Sequence, residues 1–441
     1  MFDFNSKIKN KCASLLITGI FLFVGVAVPL VSATNTYFDK NGFDIIVPDD
    51  YSSIQNAIDN ASPGDKILVR SGIYKENMEV DKYGLSLIGE NKFTTVIDGG
   101  RNSKSTVTIT SSDVTIQGFS IINGDGEKTQ WDTAGISVSS SNVIINENLI
   151  MWNRLGINAL DIAHNLTICN NMFTDDSILL GNYEYTSFQF TKESFLHTIV
   201  NNTVNGKPIY YYKNQDNFTV PNNAGQIILV NCTNGTIKGT SFTHVDFPVL
   251  VNFCSHCIIE NLTVDETWGE IILLHSENCT IQNNTASHLI YGVCLDYNSK
   301  NNVVRYNEVS NNYGGIVVMT SSSGNRVYQN NIHDNGVGVF LLGKSNSNHI
   351  FENDIYSNDI GIKLEKTPFD NIIENNMIRR CSFDAISIGR SYNNIWDHNY
   401  WGRPRITPKL IFSFKMIGGK IPIPYLIAGF DWHPAKKPYN F

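Results

Sequence analysis

Asparagine recurs at positions 261, 284, 307, 330, 353, 376 and 399, every 23 residues, and two further ladders run in the same phase. One is Gly269, Gly292, Gly315, Gly338 and Gly361; the other is Asn302, Asn325, Asn348, Asn371 and Asn394. Apolar residues keep the same step at Ile281, Val304, Val327, Ile350, Ile373 and Trp396. A period of this length marks a solenoid whose units stack on one another. Within a unit the apolar residues alternate over short runs, as in Gly338-Val339-Phe340-Leu341, which is strand periodicity and not helical periodicity. Leucine-rich repeats come near this length, but their fixed leucine spacing and helical segment are absent. The expected fold is all-β, a single parallel β-helix of 23-residue coils. Stacked Asn amides would bond along its axis, and the Gly ladder would mark corners that need positive φ or close backbone approach.

The pattern continues toward the N-terminus, where Asn148 and Asn171 are again 23 apart and Val114 to Ile121 follows the same string. From Ile67 to Trp401 there is room for roughly fourteen coils in one domain, a rod on the order of 65 Å long. Open ends of such a rod expose sheet edges, so caps are expected. Ile54, Ala57, Ile58 and Ala61 follow a Ser N-cap at i, i+3, i+4 and i+7 and predict a short N-terminal capping helix. Residues 402–441 hold six of the 13 prolines and predict an irregular, Pro-rich C-terminal cap.

Residues 1–33 read as a signal peptide: Lys7, Lys9 and Lys11 precede an apolar run to Leu30, followed by Val31-Ser32-Ala33. An uncleaved anchor is the alternative, and both place the body, residues 34–401, outside the cell. The apolar stretch from Leu410 to Phe430 is no membrane span, because Lys415, Lys420, Pro422 and Pro424 interrupt it. A formal charge of −8 leaves no basic stripe for phosphates, which sets nucleic acid aside. With 42% hydrophobic and 17% charged residues, the chain can build a large core.

Two passages resemble known proteins. Ser53 to Glu76, followed by Ser86-Leu-Ile-Gly89 and Ile97-Asp-Gly99, resembles the opening of pectin-lyase-like right-handed β-helix proteins. Asn202 to Asn214, followed by Asn223 to Val230, is similar to the NosD family, described as periplasmic copper-binding or as carbohydrate-binding and sugar-hydrolysing. The resemblance implies right-handed winding, a periplasmic or cell-surface location and a polysaccharide or surface glycan as partner. It leaves the chemistry open, because one coil type serves lyases, hydrolases, epimerases, adhesins and accessory proteins.

On a regular rod, function is expected where the period fails and loops stand over a sheet face. Three passages depart from it within an irregular region at 124–224: Ile121 to Gly135, Thr174 to Phe195, and Lys213 to Ala224. They supply Trp131, Tyr183, Tyr185, Tyr210, Tyr211 and Tyr212 as candidate sugar-stacking residues, with loop packing as the alternative. Asp175, Asp176 and Glu184 are the candidate catalytic carboxyl groups for a lyase or hydrolase, although the Asn-Thr-Asp, Gly-His-Gly and Arg-Ile-Lys elements of polygalacturonases are missing.

Seven cysteines follow the signal segment. Cys232 and Cys254, and likewise Cys257 and Cys279, are 22 residues apart and should stack in neighbouring coils. Small core residues, a disulfide, and a soft-metal site of Cys254, His256, Cys257 and Cys279 are the three readings. No cofactor is required and copper stays open. The expected function is an exported carbohydrate-binding module, with a polysaccharide lyase or hydrolase and an accessory role in copper-enzyme maturation as alternatives. The oligomeric state is left open.

Overall fold

The computed structural model describes residues 42–124, 133–181, 191–389, 391–417 and 421–440. The strands wind as a right-handed parallel β-helix of about fifteen turns. The signal-like segment, Trp131, Tyr183, Glu184 and Tyr185 lie outside the described residues.

From residue 280 onward the coils repeat at 23 residues: Val304 pairs with Val327, Val327 with Ile350, and Ile350 with Ile373. Their side chains are buried completely, because alternate residues of each strand point into the coil. Three strands make each C-terminal coil. The first belongs to a sheet through Tyr291–Asp296, Gly314–Val318 and Val337–Leu342. The second belongs to a sheet through Val303–Arg305, Arg326–Tyr328 and His349–Phe351. The third belongs to a sheet through Glu308–Ser310, Asn331–His333 and Asp354–Tyr356.

The Asn ladders turn the corners. Asn330 Oδ1 accepts from Asn307 N at 3.0 Å and Asn307 Nδ2 at 2.9 Å, and the pattern repeats through Asn353, Asn376 and Asn399. Asn302 to Asn394 form the second ladder in the same way. Asn312, Asn335 and Asn358 form a third, which completes the three corners. Residues just before the first ladder, including Tyr306, Gln329 and Glu352, have φ of 56°, 53° and 54°. Positive φ is costly for L-residues, and the buried amide bonds at the next position hold it.

Gly292, Gly315, Gly338 and Gly361 stand in one column, and they serve close approach. None of them has positive φ. A Cβ on Gly315 would lie 2.5 Å from the Gly338 carbonyl oxygen, and one on Gly338 would lie 2.6 Å from that of Gly361. Gly269 is not part of this column. The coil from Ile271 to Val293 is one residue shorter, so Glu270 falls opposite Gly292. The same slip removes Asn261 from the Asn ladder: Leu262 N donates to Asn284 Oδ1, and Asn261 takes the positive-φ corner at 55°.

Coil length varies widely before residue 226. Ser86 pairs with Thr115 and Thr115 with Ile144, steps of 29, and Thr167 pairs with Thr198, a step of 31. The passage at 213–224 is a contraction and not an insertion, since Ile209 pairs with Gln226 after 17 residues. It follows a reversal in which strand Thr203–Val204 runs antiparallel to Lys207–Lys213 around Asn205 and Gly206. Their φ values of 50° and 75° are those of a tight turn that Asn-Gly favours.

Both ends are capped. Ser53 Oγ accepts from Asn56 N at the start of helix Ile54–Asn60, and the Glu76 carboxylate accepts from Ile54 N and Gln55 N at 3.0 and 2.9 Å. The C-terminal cap is not irregular: it contains an antiparallel pair of long strands, Lys409–Ile417 and Ile421–Asp431. Proline is tolerated there at edge positions. Buried Asp431 ends the Asn ladder, its Oδ2 accepting from Asn399 N at 3.0 Å and Trp401 Nε1 at 2.9 Å.

Candidate functional site

Asp175 and Asp176 do not converge. Asp175 is exposed at a positive-φ corner. Asp176 is fully buried and accepts from Asn153 N at 3.1 Å and Asn153 Nδ2 at 2.7 Å, an Asn-ladder position filled by a carboxylate. The tyrosines on strand Lys207–Lys213 are partly buried and pack against the core. Tyr211 OH donates to the Phe195 carbonyl at 2.7 Å and accepts from His197 N at 2.9 Å. Tyr212 stacks on Phe218 at 4.8 Å, and Tyr210 OH donates to Asn223 at 2.8 Å. Burial raises the Tyr211 hydroxyl and lowers His197 to about 4, so both are neutral near pH 7.

The outward side of the second sheet of the C-terminal coils assembles a surface that the sequence reading missed. Gln282, Arg305, Tyr328, Phe351 and Glu374 occupy successive coils and stand in one column. Tyr328 and Phe351 stack with centroids 4.8 Å apart and planes at 12°. The Arg326 guanidinium lies over both rings at 5.1 and 5.4 Å. Arg305 donates to Gln282 Oε1 through Nε at 3.0 Å and Nη2 at 2.9 Å, and to Tyr328 OH through Nη1 at 3.1 Å. His349 Nε2 and Glu374 Oε1 are 2.9 Å apart at the next level. Among the described residues neither Arg305 nor Arg326 has a carboxylate within ion-pair distance. The third sheet differs: its Tyr356 carries Arg379, which Asp354 neutralises at 2.6 Å. The 23-residue step was the available signal, since this column lies one residue beyond the buried apolar ladder.

Glu270, placed opposite Gly292 by the short coil, is buried, and burial reinforced by Asp296 raises its carboxyl to about 8. Burial also raises Asp296 to about 6, against hydrogen bonds from Thr320 and Tyr297 N–H. A carboxyl whose pKa rises on folding binds more protons folded than unfolded, so stability is lost as pH climbs from about 4.3 to about 8. Glu270→Gln is therefore expected to raise the melting temperature at pH 8.5 by several degrees and to leave it nearly unchanged at pH 4. Melts of both proteins at the two pH values check this, and equal offsets would contradict it.

Four cysteines gather where the first corner of the C-terminal coils begins. All seven described cysteines are free thiols. Cys232 and Cys254 start a column that continues as Ser276 and Ser299, while Cys257 and Cys279 start the one that continues as Asn302 and Asn325. The thiols form a chain of contacts, Cys232 with Cys254, Cys254 with Cys257, and Cys257 with Cys279. The neighbouring Cys254 and Cys279 thiols lower the pKa of Cys257 and burial raises that of Cys254, while their own S–H groups reach the Asn252 and Glu277 carbonyls at 3.2 and 3.4 Å. His256 is exposed at a positive-φ corner and stays outside this group. A second donor set, Asp397, His398 and His433, lies at the C-terminal cap. There each imidazole Nδ1 meets one Asp397 oxygen, at 2.7 and 2.8 Å.

Stacked Asn corners and a close-packed Gly column define the molecule as a parallel β-solenoid. The family model of NosD, periplasmic copper-binding protein, matches residues 198–405, and that stretch is similar to that family. A cell surface glycoprotein of Methanothermus fervidus is 33% identical over 108 residues, which is 24% of this chain and 18% of that protein's length. The A-module of the Azotobacter vinelandii mannuronan C-5 epimerase AlgE6 aligns with TM-score 0.37 and 13% identity, covering 83% of this chain and 91% of that one. The periplasmic alginate epimerase AlgG, in a double-mutant form, aligns with TM-score 0.35 and 13% identity over 88% of this chain and 76% of that one.

Copper is the metal in the family's description, and the donor chemistry of the two sets separates them. Imidazole and carboxylate suit divalent ions, whereas adjacent thiols suit monovalent copper. Cys254, Cys257 and Cys279 carry donors of that kind but follow one another as a chain and do not fit a single shared ion; among the described residues only Asp397, His398 and His433 bring three donor atoms within 4.8 Å of one another.

Proposed function

We propose that this protein is an exported, surface-located β-helix that binds an acidic polysaccharide along the outer column of Arg305, Tyr328 and Phe351. The observation that carries the reading is the pair of guanidinium groups, Arg305 and Arg326, held against stacked rings without a carboxylate partner among the described residues. Aromatic faces take the C–H side of a sugar ring, and a planar guanidinium takes a carboxylate by two hydrogen bonds. Coils repeat at about 4.8 Å, so the column offers a periodic surface to a linear polymer. The NosD match and the surface-glycoprotein relative support an exported location.

Binding of uronic-acid and neutral polysaccharides to the purified chain, measured by calorimetry at low and high salt, tests this. The double variant Arg326→Ala/Tyr328→Ala is expected to lose at least about tenfold in affinity for the acidic polymer, from the lost cation–π and stacking contacts. Wild-type binding should weaken with salt. Equal affinity for neutral polymers, or unchanged binding by the variant, would refute the reading.

A further inference from the structure

Eight Asn-X-Thr triplets lie between Asn165 and Thr285, and no Asn-X-Ser/Thr triplet follows them in the chain. In all eight the Asn stands at a corner with φ of 52° to 55°. The winding accounts for the Asn, which tolerates positive φ better than other side chains. It does not account for the Thr. At later corners Asn301, Asn311, Asn375 and Asn393 also have positive φ, yet Val303, Tyr313, Met377 and Ile395 stand two residues on. Side-chain bonding then sorts the eight. Asn165 Nδ2 donates to Asn142 Oδ1 at 2.9 Å, Asn231 Nδ2 to Asn214 Oδ1 at 2.6 Å, and Asn234 Nδ2 to Asp216 Oδ1 at 2.9 Å. The other five, at 201, 217, 261, 278 and 283, are exposed, and among the described residues their carboxamides make no hydrogen bond.

We propose that Asn201, Asn217, Asn261, Asn278 and Asn283 are attachment sites for N-linked glycans. Asn-X-Thr is the acceptor triplet of exported chains where it lies at the surface, so the assignment rests on the export reading above. The donor is an oligosaccharide whose anomeric carbon carries a phosphate or pyrophosphate leaving group. Asn Nδ2 forms the new bond to that carbon, the bond from carbon to the phosphate oxygen breaks, and the leaving group departs with the electron pair. The amide nitrogen loses one proton, and nothing is oxidised or reduced. Within the triplets Asn202, Leu262, Cys279 and Asn284 are buried, whereas Thr219, Thr263 and Thr285 are exposed. Asn and Thr thus face outward together, and a glycan on any of the five amides reaches solvent without breaking a hydrogen bond. Asn261 and Asn283 directly follow Glu260 and Gln282, which pair in register across neighbouring coils. Their corners are about 4.8 Å apart, so crowding limits this pair to one glycan in any one molecule. Tyr306 takes the next place in the same column, and the coils beyond it, with the proposed polysaccharide column, are left without an acceptor.

Glycopeptide mass spectrometry of the full chain, purified from fractionated native cells, tests the sites. Added glycan mass is expected on the peptides holding Asn201, Asn217 and Asn278 and on one member of the Asn261 and Asn283 pair, with Asn301, Asn311 and Asn375 unmodified. Thr280→Val keeps a β-branched side chain and stands in one row with Ile258 and Val303, so it should fold. It is expected to abolish the glycan at Asn278 and at no other site, whereas Thr280→Ser, which keeps the hydroxyl, should retain it. Unmodified peptides at all five positions in chain recovered outside the cell would overturn the assignment and leave export standing. An unmodified chain held in the cytoplasm would overturn both. Glycan that persists at Asn278 in Thr280→Val, or that appears equally on Asn301 and Asn375, would also overturn the assignment.

Discussion

Asn330→Ala is expected to destabilise the protein more than any surface substitution. The amide gives Nδ2 bonds to Val304 O at 2.9 Å, Tyr328 O at 3.0 Å and Asn353 Oδ1 at 2.9 Å. Its Oδ1 accepts from Asn307 N and Nδ2. Removal leaves at least two buried backbone groups, Asn307 N and Val304 O, without those partners. Each unsatisfied group costs about 1–3 kcal/mol, which places the loss at roughly 2–6 kcal/mol. Chemical denaturation should show a lower midpoint. Asn330→Asp should recover only part of the loss, because a carboxylate accepts from Asn307 but cannot donate to Val304 O. A midpoint within error of wild type would show that the ladder contributes little.

Gly338→Ala is expected to be comparably severe for a different reason. The new Cβ would lie 2.6 Å from Gly361 O and 2.9 Å from the Ile355 side chain. The nearest atom is backbone of the next coil, so no rotamer change relieves the clash. Overpacking of this kind costs about 1–3 kcal/mol and occasionally more, and here relief means parting two hydrogen-bonded coils. Gly206→Ala serves as the contrasting control. Nothing lies within 4 Å of its Cβ, and its penalty comes from φ of 75° alone. A thermal melt in which Gly338→Ala is the milder of the two would contradict the close-approach reading. The proposed binding face depends on the same registry, since Tyr328 and Phe351 meet only while their coils stay aligned.

Much of the C-terminal half was legible from spacing. The columns of Asn284 to Asn399 and Gly292 to Gly361 stand as the 23-residue step requires, and the cysteine pairs stack at 22. Gly269 and Asn261 escaped because one missing residue shifts register without changing composition, and a single-residue slip turns a strand's side chains to the opposite face. The aromatic and arginine column was encoded at the same step as the core. Spacing alone marks such a column without distinguishing a recognition face from an ordinary solvated one. Tyr210, Tyr211 and Tyr212 are partly buried against the core, and aromatic clustering in a sequence does not say how much of each ring is left to solvent.

The sequence by itself determined that the chain winds, and at what period, because parallel pairing places the same kind of residue at the same corner of every coil. It also carried both the Asn amides that bond along the axis and the glycines that let coils approach. Only the tertiary structure decided which side chains meet across the turns. Steps of 29, 31, 17 and 22 accumulate before the regular region begins, and the register they leave sets each residue inside or outside the coil. Asp431 reaching Asn399 across 32 residues, and four thiols meeting from three coils, are products of that register, which no local pattern records.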